Sequence, residues 1–190
     1  MKWTQGSVAA WTAAAALTLL TLPVQADVVN GGFETGSLAG WTLTGDTSFS
    51  GVDPFAARSG NYGAFFGPTV VGGISQSFAT LANTVYKIDF SLSLADSAQP
   101  NSFSWSWNGV AQAPALSNAA GFGYTNFSAL LLATGTTTTI AFNFVNPQSF
   151  WLLDNVGVAA IPEPSVTLLM GAGFFVMLAG MQRRARSKKA

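Results

Sequence analysis

The chain has 190 residues, room for one ordinary domain once a leader and a tail are set aside. Its zero net charge hides a segregation: between Asp27 and Ala160 seven acids (Asp27, Glu34, Asp46, Asp53, Asp89, Asp96, Asp154) face two bases (Arg58, Lys87), a net of −5. That balance argues against nucleic acid as a partner, and the absence of cysteine and histidine excludes disulfides, thiolate sites and the commonest general base and metal ligand.

In chain order, Lys2, the apolar stretch Val8 to Leu22, Pro23 and the small-x-small end Val24, Gln25, Ala26 read as a secretory signal peptide, residues 1–26, cut after Ala26. Retention as an anchor is the lesser reading. Residues 27–160 then form the candidate domain. It opens with Val28 to Trp41, where Val29 and Phe33 bracket a glycine pair and Gly36 and Gly40 punctuate a loop, predicting an edge strand, a turn and a packed tryptophan.

Beyond Trp41, short runs with a period of two recur between turn signals, the pattern of an all-β sandwich or barrel. The predicted strands are Trp41 to Thr44, Tyr62 to Phe66, Gly73 to Phe78, Val85 to Leu94, Ser102 to Trp107, Asn126 to Ala133, Thr137 to Phe144 and Phe150 to Val158. In the fourth, Tyr86, Ile88, Phe90, Leu92 and Leu94 share one face while Lys87, Asp89, Ser91 and Ser93 share the other, a half-buried antiparallel strand. Ala95 to Asn101 and Ala111 to Tyr124 read as connections, the second long enough to be a functional loop.

Catalysis finds little material in this inventory. A hydrolase would have to pair carboxylates from Glu34, Asp46, Asp53, Asp89, Asp96 and Asp154, and none stands in a catalytic motif. Aromatic rings offer a different chemistry, because sugars present flat C–H faces that stack on them. Phe103, Trp105 and Trp107 alternate with serines and share one strand face, which is either core or a sugar platform; Tyr124 and Trp151, near loop ends, carry the same two readings. A binding module would expose Trp105, Trp107 or Trp151, whereas a structural protein would bury all three. Asn108 and Gly109 predict a tight hairpin.

The tail, residues 161–190, consists of Ile161, Pro162, Glu163, Pro164 and Ser165, an uncharged run from Val166 to Met181, and Arg183, Arg184, Arg186, Lys188 and Lys189. The prolines favour an extended spacer, and the run predicts a transmembrane helix of about 24 Å, a little short for a bilayer core of about 30 Å. Its basic flank predicts a cytoplasmic C-terminus with the domain outside.

Two resemblances attach to these residues. Pro162, Glu163 and Pro164, the apolar run and the basic tail resemble the C-terminal sorting signal of the PEP-CTERM exported proteins. That likeness implies processing by an exosortase of a Gram-negative bacterium, transient residence in the inner membrane, and then the cell surface or an extracellular, biofilm-type matrix rich in exopolysaccharide. The segment from Asn30 to Val158, with its Asn-x-x-Phe-Glu, Gly-Trp and Ser-Gly-x-Tyr signals, resembles the galactose-binding-like jelly rolls that include many carbohydrate-binding modules. In that family the positions of Glu34 and Asp154 often ligate a structural calcium, helped by main-chain carbonyls of a turn that here is Ser59, Gly60 and Asn61. Asn155 stands where many relatives carry a second aspartate, and solvated or hydrogen-bonded carboxylates are the other reading.

Together these features predict an exported, non-catalytic, carbohydrate-binding jelly roll. A structural or adhesive matrix protein without a specific sugar is the alternative, and a hydrolase comes third.

Overall fold

The structure is a computed structural model that describes residues 28–161. The expected leader and sorting signal, including Pro162, Glu163, Pro164 and the apolar run, lie outside the described residues. Among the described residues no helix is long and apolar enough to cross a membrane.

Ten strands divide five and five between two antiparallel sheets. They are β1 Thr42–Gly45, β2 Ser50–Asp53, β3 Gly63–Phe66, β4 Gly72–Ala79, β5 Thr84–Leu94, β6 Ser102–Trp107, β7 Val110–Ser117, β8 Phe122–Ala133, β9 Thr137–Val145 and β10 Trp151–Ala160. Sheet A runs β1-β4-β9-β6-β7, and sheet B runs β2-β3-β10-β5-β8. This is the predicted all-β sandwich.

Alternation in the sequence decides which side of each strand is dry. On β5, Tyr86, Ile88, Phe90, Leu92 and Leu94 are buried, and on β6 and β9 the buried set is Phe103, Trp105, Trp107, Ile140, Phe142 and Phe144. Register aligns Trp105 with Phe142 and Phe142 with Ile74, so one row of large side chains crosses sheet A. Phe90 of sheet B meets both Trp105 and Phe142 edge-on at 5.2 Å, the favoured geometry for ring quadrupoles. Phe66 and Phe144 stack at 4.1 Å across the sandwich.

Three expectations are corrected. The opening segment forms successive turns rather than an edge strand: Asn30 and Phe33 take positive φ, and Phe33 N–H donates to the Asn30 carbonyl. Even so it reaches the last strand, because Val156 N–H donates to the Gly31 carbonyl. A Cβ on Gly31 would lie 1.9 Å from the Val156 carbonyl oxygen, so only glycine allows that approach. Second, much of the stretch from Ala111 to Tyr124 is strand, β7 and the start of β8, and not a long loop. Proline at an edge position disguised β7, for Pro114 interrupts the alternation yet is tolerated where no outer neighbour needs its N–H. Third, β2 is a short strand that the sequence reading missed.

A bulge in β10 between Asp154 and Gly157, with Asn155 at φ 54°, shifts the inward set from Trp151 and Leu153 to Val156 and Val158. Ahead of that bulge, alternation with the inward Leu153 already places Asp154 on the outer side of sheet B, opposite Ser91.

Truncating the centre of this layer is costly. Phe142→Ala should lower unfolding stability by about 3–5 kcal/mol, while Ser104→Ala on the outer face of β6 should change it by less than about 0.5 kcal/mol; urea titration monitored by tryptophan emission measures both.

Candidate functional site

The site residues that the sequence singled out fall into two groups with different fates. Glu34, Ser59, Asn61 and Asp154 come together. The segment that follows β2, with a short 3-10 turn at Pro54–Ala56, folds back over the outer side of sheet B. Gly63 permits this, since a Cβ there would lie 1.8 Å from the Ala56 carbonyl oxygen.

Two carboxylates pin the segment from below. Asp154 Oδ2 accepts the Arg58 and Ser59 N–H groups at 2.9 and 3.1 Å, and its Oδ1 accepts Asn155 N–H at 2.6 Å. Glu34 Oε1 accepts N–H from Asn61 and Tyr62 at 3.0 and 3.1 Å, while Oε2 takes Asn61 N–H and Nδ2 at 3.0 and 3.3 Å. Ser59 Oγ donates to Asn155 Oδ1 at 2.9 Å. Gly60, at φ 70°, leaves no space for a Cβ, which would sit 2.2 Å from Glu34 Oε1.

The two acids are tuned in opposite directions. The Asn61 and Tyr62 N–H groups hold Glu34 below the usual carboxylate range. Burial pushes Asp154 up, and the nearby Glu34 charge adds to it, against the lowering pull of the Ser59, Arg58 and Asn155 N–H groups.

Calcium fits this arrangement poorly. An ionised carboxylate has roughly four acceptor positions, and those of Glu34 face three N–H groups, the Asn61 main-chain N–H shared between its two oxygens. The turn aims its donors, not its carbonyls, at Glu34. Among the described residues no group of three or more carboxylate or imidazole side chains could hold a metal ion.

The aromatic group is corrected. Trp105, Trp107 and Trp151 are all core, with 1%, 4% and 0% exposure. Each indole N–H donates to a carbonyl at 3.1 Å, to Ala113, Leu132 and Val145 respectively, so the rings are fixed edge and face. None can stack on a sugar. Tyr124 is half-buried, and its hydroxyl donates to the Ala56 carbonyl; burial, then the Asp154 charge, raises its pKa far above the ordinary tyrosine range.

What the folded-back segment exposes was not foreseen from the sequence. On one side, Arg58 Nη1 donates to Ser91 Oγ at 2.7 Å, and Ser91 Oγ donates to Asn126 Oδ1 at 3.0 Å. These residues with Asp89, Phe127 and Asn155 line a cavity of about 210 Å³, roughly the volume of one sugar ring. Among the described residues Arg58 has no carboxylate partner; the one ion pair joins Lys87 and Asp89 at 2.9 Å. On the other side, Phe55 is exposed and packs on Phe65 and Phe150 at 5.3 and 6.0 Å. Register was the missing signal: only the pairing of Asp154 with Ser91 and Ser91 with Asn126 brings these scattered polar residues into one row.

The outer side of sheet A is different in kind. Ser75, Ser77, Ser102, Ser104, Ser106, Thr139 and Asn143 occupy it, with no aromatic ring and no charge among these positions.

Comparison with known proteins identifies the architecture. No protein-family profile matches the chain, and no curated protein matches it. Among solved structures, the carbohydrate-binding module TmCBM61, solved in complex with β-1,4-galactotriose, superposes with a TM-score of 0.58 at 18% identity, over 71% of this chain and 99% of that one. The CBM22-1 xylan-binding domain of Paenibacillus barcinonensis Xyn10C gives 0.52 at 17% identity, over 75% and 99%. The enzymatically active domain of bacteriophage CBA120 tailspike protein 4 gives 0.53 at 14% identity, over 71% of this chain and 21% of that one. The shared feature is the fold, a jelly-roll sandwich.

The opposed shifts give opposed pH limbs. Glu34, and Asp46, which is lowered by the Ser48 and Thr69 hydroxyl and N–H groups, add stability that is present above their ordinary values of 4.5 and 3.8 and is lost as pH falls through the lowered ones. Asp154, raised, adds stability that is present below its ordinary value of 3.8 and is lost as pH rises through the raised one. Glu34→Gln and Asp46→Asn should each flatten the acid limb of a melting-temperature profile, whereas Asp154→Asn should flatten the decline above about pH 4.

Proposed function

We propose that the chain is an exported, non-catalytic carbohydrate-binding protein whose site is the Arg58 cleft on sheet B. The observation that carries this reading is the convergence of a guanidinium, a carboxylate, a hydroxyl and two amides (Arg58, Asp89, Ser91, Asn126, Asn155) on a cavity the size of a sugar ring. Vicinal hydroxyls need donors and acceptors side by side, and the relay from Arg58 through Ser91 to Asn126 holds them in place before any ligand arrives. The likeness of fold to modules solved with or named for galactan and xylan ligands supports the assignment.

The carboxylates support a non-catalytic role. Glu34 and Asp154 point at the N–H groups of one turn, and Asp89 is paired with Lys87, so none is poised as an acid–base pair across the cleft. Glu34, Ser59, Asn61 and Asp154 act as a strut under Arg58. Calcium would need the turn to reverse its peptide groups; the strut reading predicts a melting temperature unchanged by chelator, and a rise of several degrees with calcium would reassign those residues as a metal site.

The sorting tail completes the reading: Pro162, Glu163 and Pro164 present the chain to an exosortase while Val166 to Met181 spans the inner membrane, and release delivers it to the cell surface or an exopolysaccharide matrix. The burial of Trp105, Trp107 and Trp151 favours the alternative, a structural matrix protein with no specific sugar.

Titration calorimetry with neutral oligosaccharides and host exopolysaccharide separates the two. Arg58→Ala, which keeps the main-chain bonds to Asp154, should weaken binding at least about tenfold, or 1.4 kcal/mol. Ser104→Ala on the other sheet should leave it unchanged. Absence of binding to every neutral and acidic glycan would establish the structural role.

A further inference from the structure

The exposed aliphatic side chains form one larger group, with Val70 and Val71 in the loop before β4 at the opposite end and Val29 and Leu43 apart from it. Leu81, Val110, Leu130, Leu132 and Ile161 are exposed, and all five lie at the end of the sandwich where β4, β6, β8 and β10 finish and β5, β7 and β9 begin. Hydrogen bonds lock this end together across the sheets: Trp107 Nε1 donates to the Leu132 carbonyl, Leu81 N–H to Tyr86 Oη, and Thr80 N–H to the Thr136 carbonyl.

On sheet B the pattern is graded. Ile161 N–H donates to the Val85 carbonyl at 2.9 Å and Val85 pairs with Leu132, giving an outward apolar row of Ile161, Val85 and Leu132. The next row is Ala159, Lys87 and Leu130, and the rows beyond it turn polar towards the Arg58 cleft. Burying an exposed apolar row requires a partner with an apolar surface.

Charge and chain path say which partner. At this end, among the described residues, Asp89 is the nearest acid and it is paired with Lys87; Asp46 and Asp96 belong to loops at the opposite end. The patch is therefore free of unpaired negative charge in a domain that is acidic overall. Ile161 is also where the described chain leaves the sandwich, and only four residues, Glu163 among them, separate it from the uncharged run starting at Val166. Five residues from Ile161 to Ser165 reach at most about 17 Å when fully extended.

We infer that this end of the sandwich is a membrane-docking surface, with Ile161, Val85, Leu132 and Leu130 resting in the interfacial layer of the bilayer that the tail enters. The inference rests on the membrane-span reading of the tail given above. A few aliphatic side chains suffice, because the tether makes contact intramolecular and holds the local lipid concentration high. Docking also sets orientation: the Arg58 cleft lies farther along the same sheet, away from the bilayer.

The chain has no cysteine, so a single introduced thiol can report position. The full chain is reconstituted into phosphatidylethanolamine–phosphatidylglycerol vesicles containing nitroxide-labelled lipid, with a fluorophore on Leu132→Cys or, at the opposite end, on Phe49→Cys. Flotation with the vesicles tests the anchor. Quenching by the nitroxide lipid should be at least about threefold greater at position 132 than at position 49. Adding Leu130→Asp to the labelled chain should reduce that quenching with flotation and thermal melt unchanged.

Each other outcome overturns the inference in its own way. Flotation with equal quenching at both positions leaves the anchor and removes docking. A label at position 132 shielded from aqueous iodide but out of reach of nitroxide lipid assigns the patch to a second copy of the chain. Failure to float removes anchor and docking together.

Discussion

Asp154 is the constraint on which the rest of the outer surface of sheet B depends. Alternation with the inward Leu153 turns its carboxylate outward, yet it is fully buried because the segment after β2 lies over it. A buried carboxylate is expensive unless hydrogen-bonded, and here the solvation lost is replaced in part by the Arg58, Ser59 and Asn155 N–H groups. The dependence is mutual: without the carboxylate those main-chain donors have no partner, and without the segment the charge has no reason to remain buried. Arg58 and Phe55 project from that same segment, so the geometry of the polar cleft and of the exposed ring follows from one side chain beneath them.

The sandwich below is built to make this platform rigid. Rings from both sheets meet at Phe90, Trp105 and Phe142, and each buried indole spends its N–H on a carbonyl of the surrounding structure. Such a core leaves little room for rearrangement on ligand binding. The division of labour differs from the simplest expectation for an aromatic-rich β-sandwich. Its largest rings hold the sheets together, and the proposed recognition site is lined mainly by polar side chains.

How much of this was legible in the sequence depends on whether the signal was local. The alternation of Tyr86 to Leu94 and of Phe103 to Trp107 fixes strands, because period-two patterning is written in consecutive residues. It cannot say whether the shared face of Trp105 and Trp107 is dry or wet, since a core strand and a sugar platform have the same alternation. The meeting of Glu34 with Asp154 came from family resemblance, which supplied the topology that spacing alone lacks. Arg58, Ser91 and Asn126 were invisible as a group: they stand 33 and 35 residues apart and are joined only by strand register. Strand β7 was hidden by Pro114, which an edge position tolerates and a central one would not.

A structure of the protein with a bound oligosaccharide tests the central claim most directly. The account predicts a sugar ring in the cleft, hydrogen-bonded to the Arg58 guanidinium and the Asn126 amide, with Trp105, Trp107 and Trp151 unmoved beneath it. A sugar seated instead on the serine- and threonine-lined outer side of sheet A would contradict it.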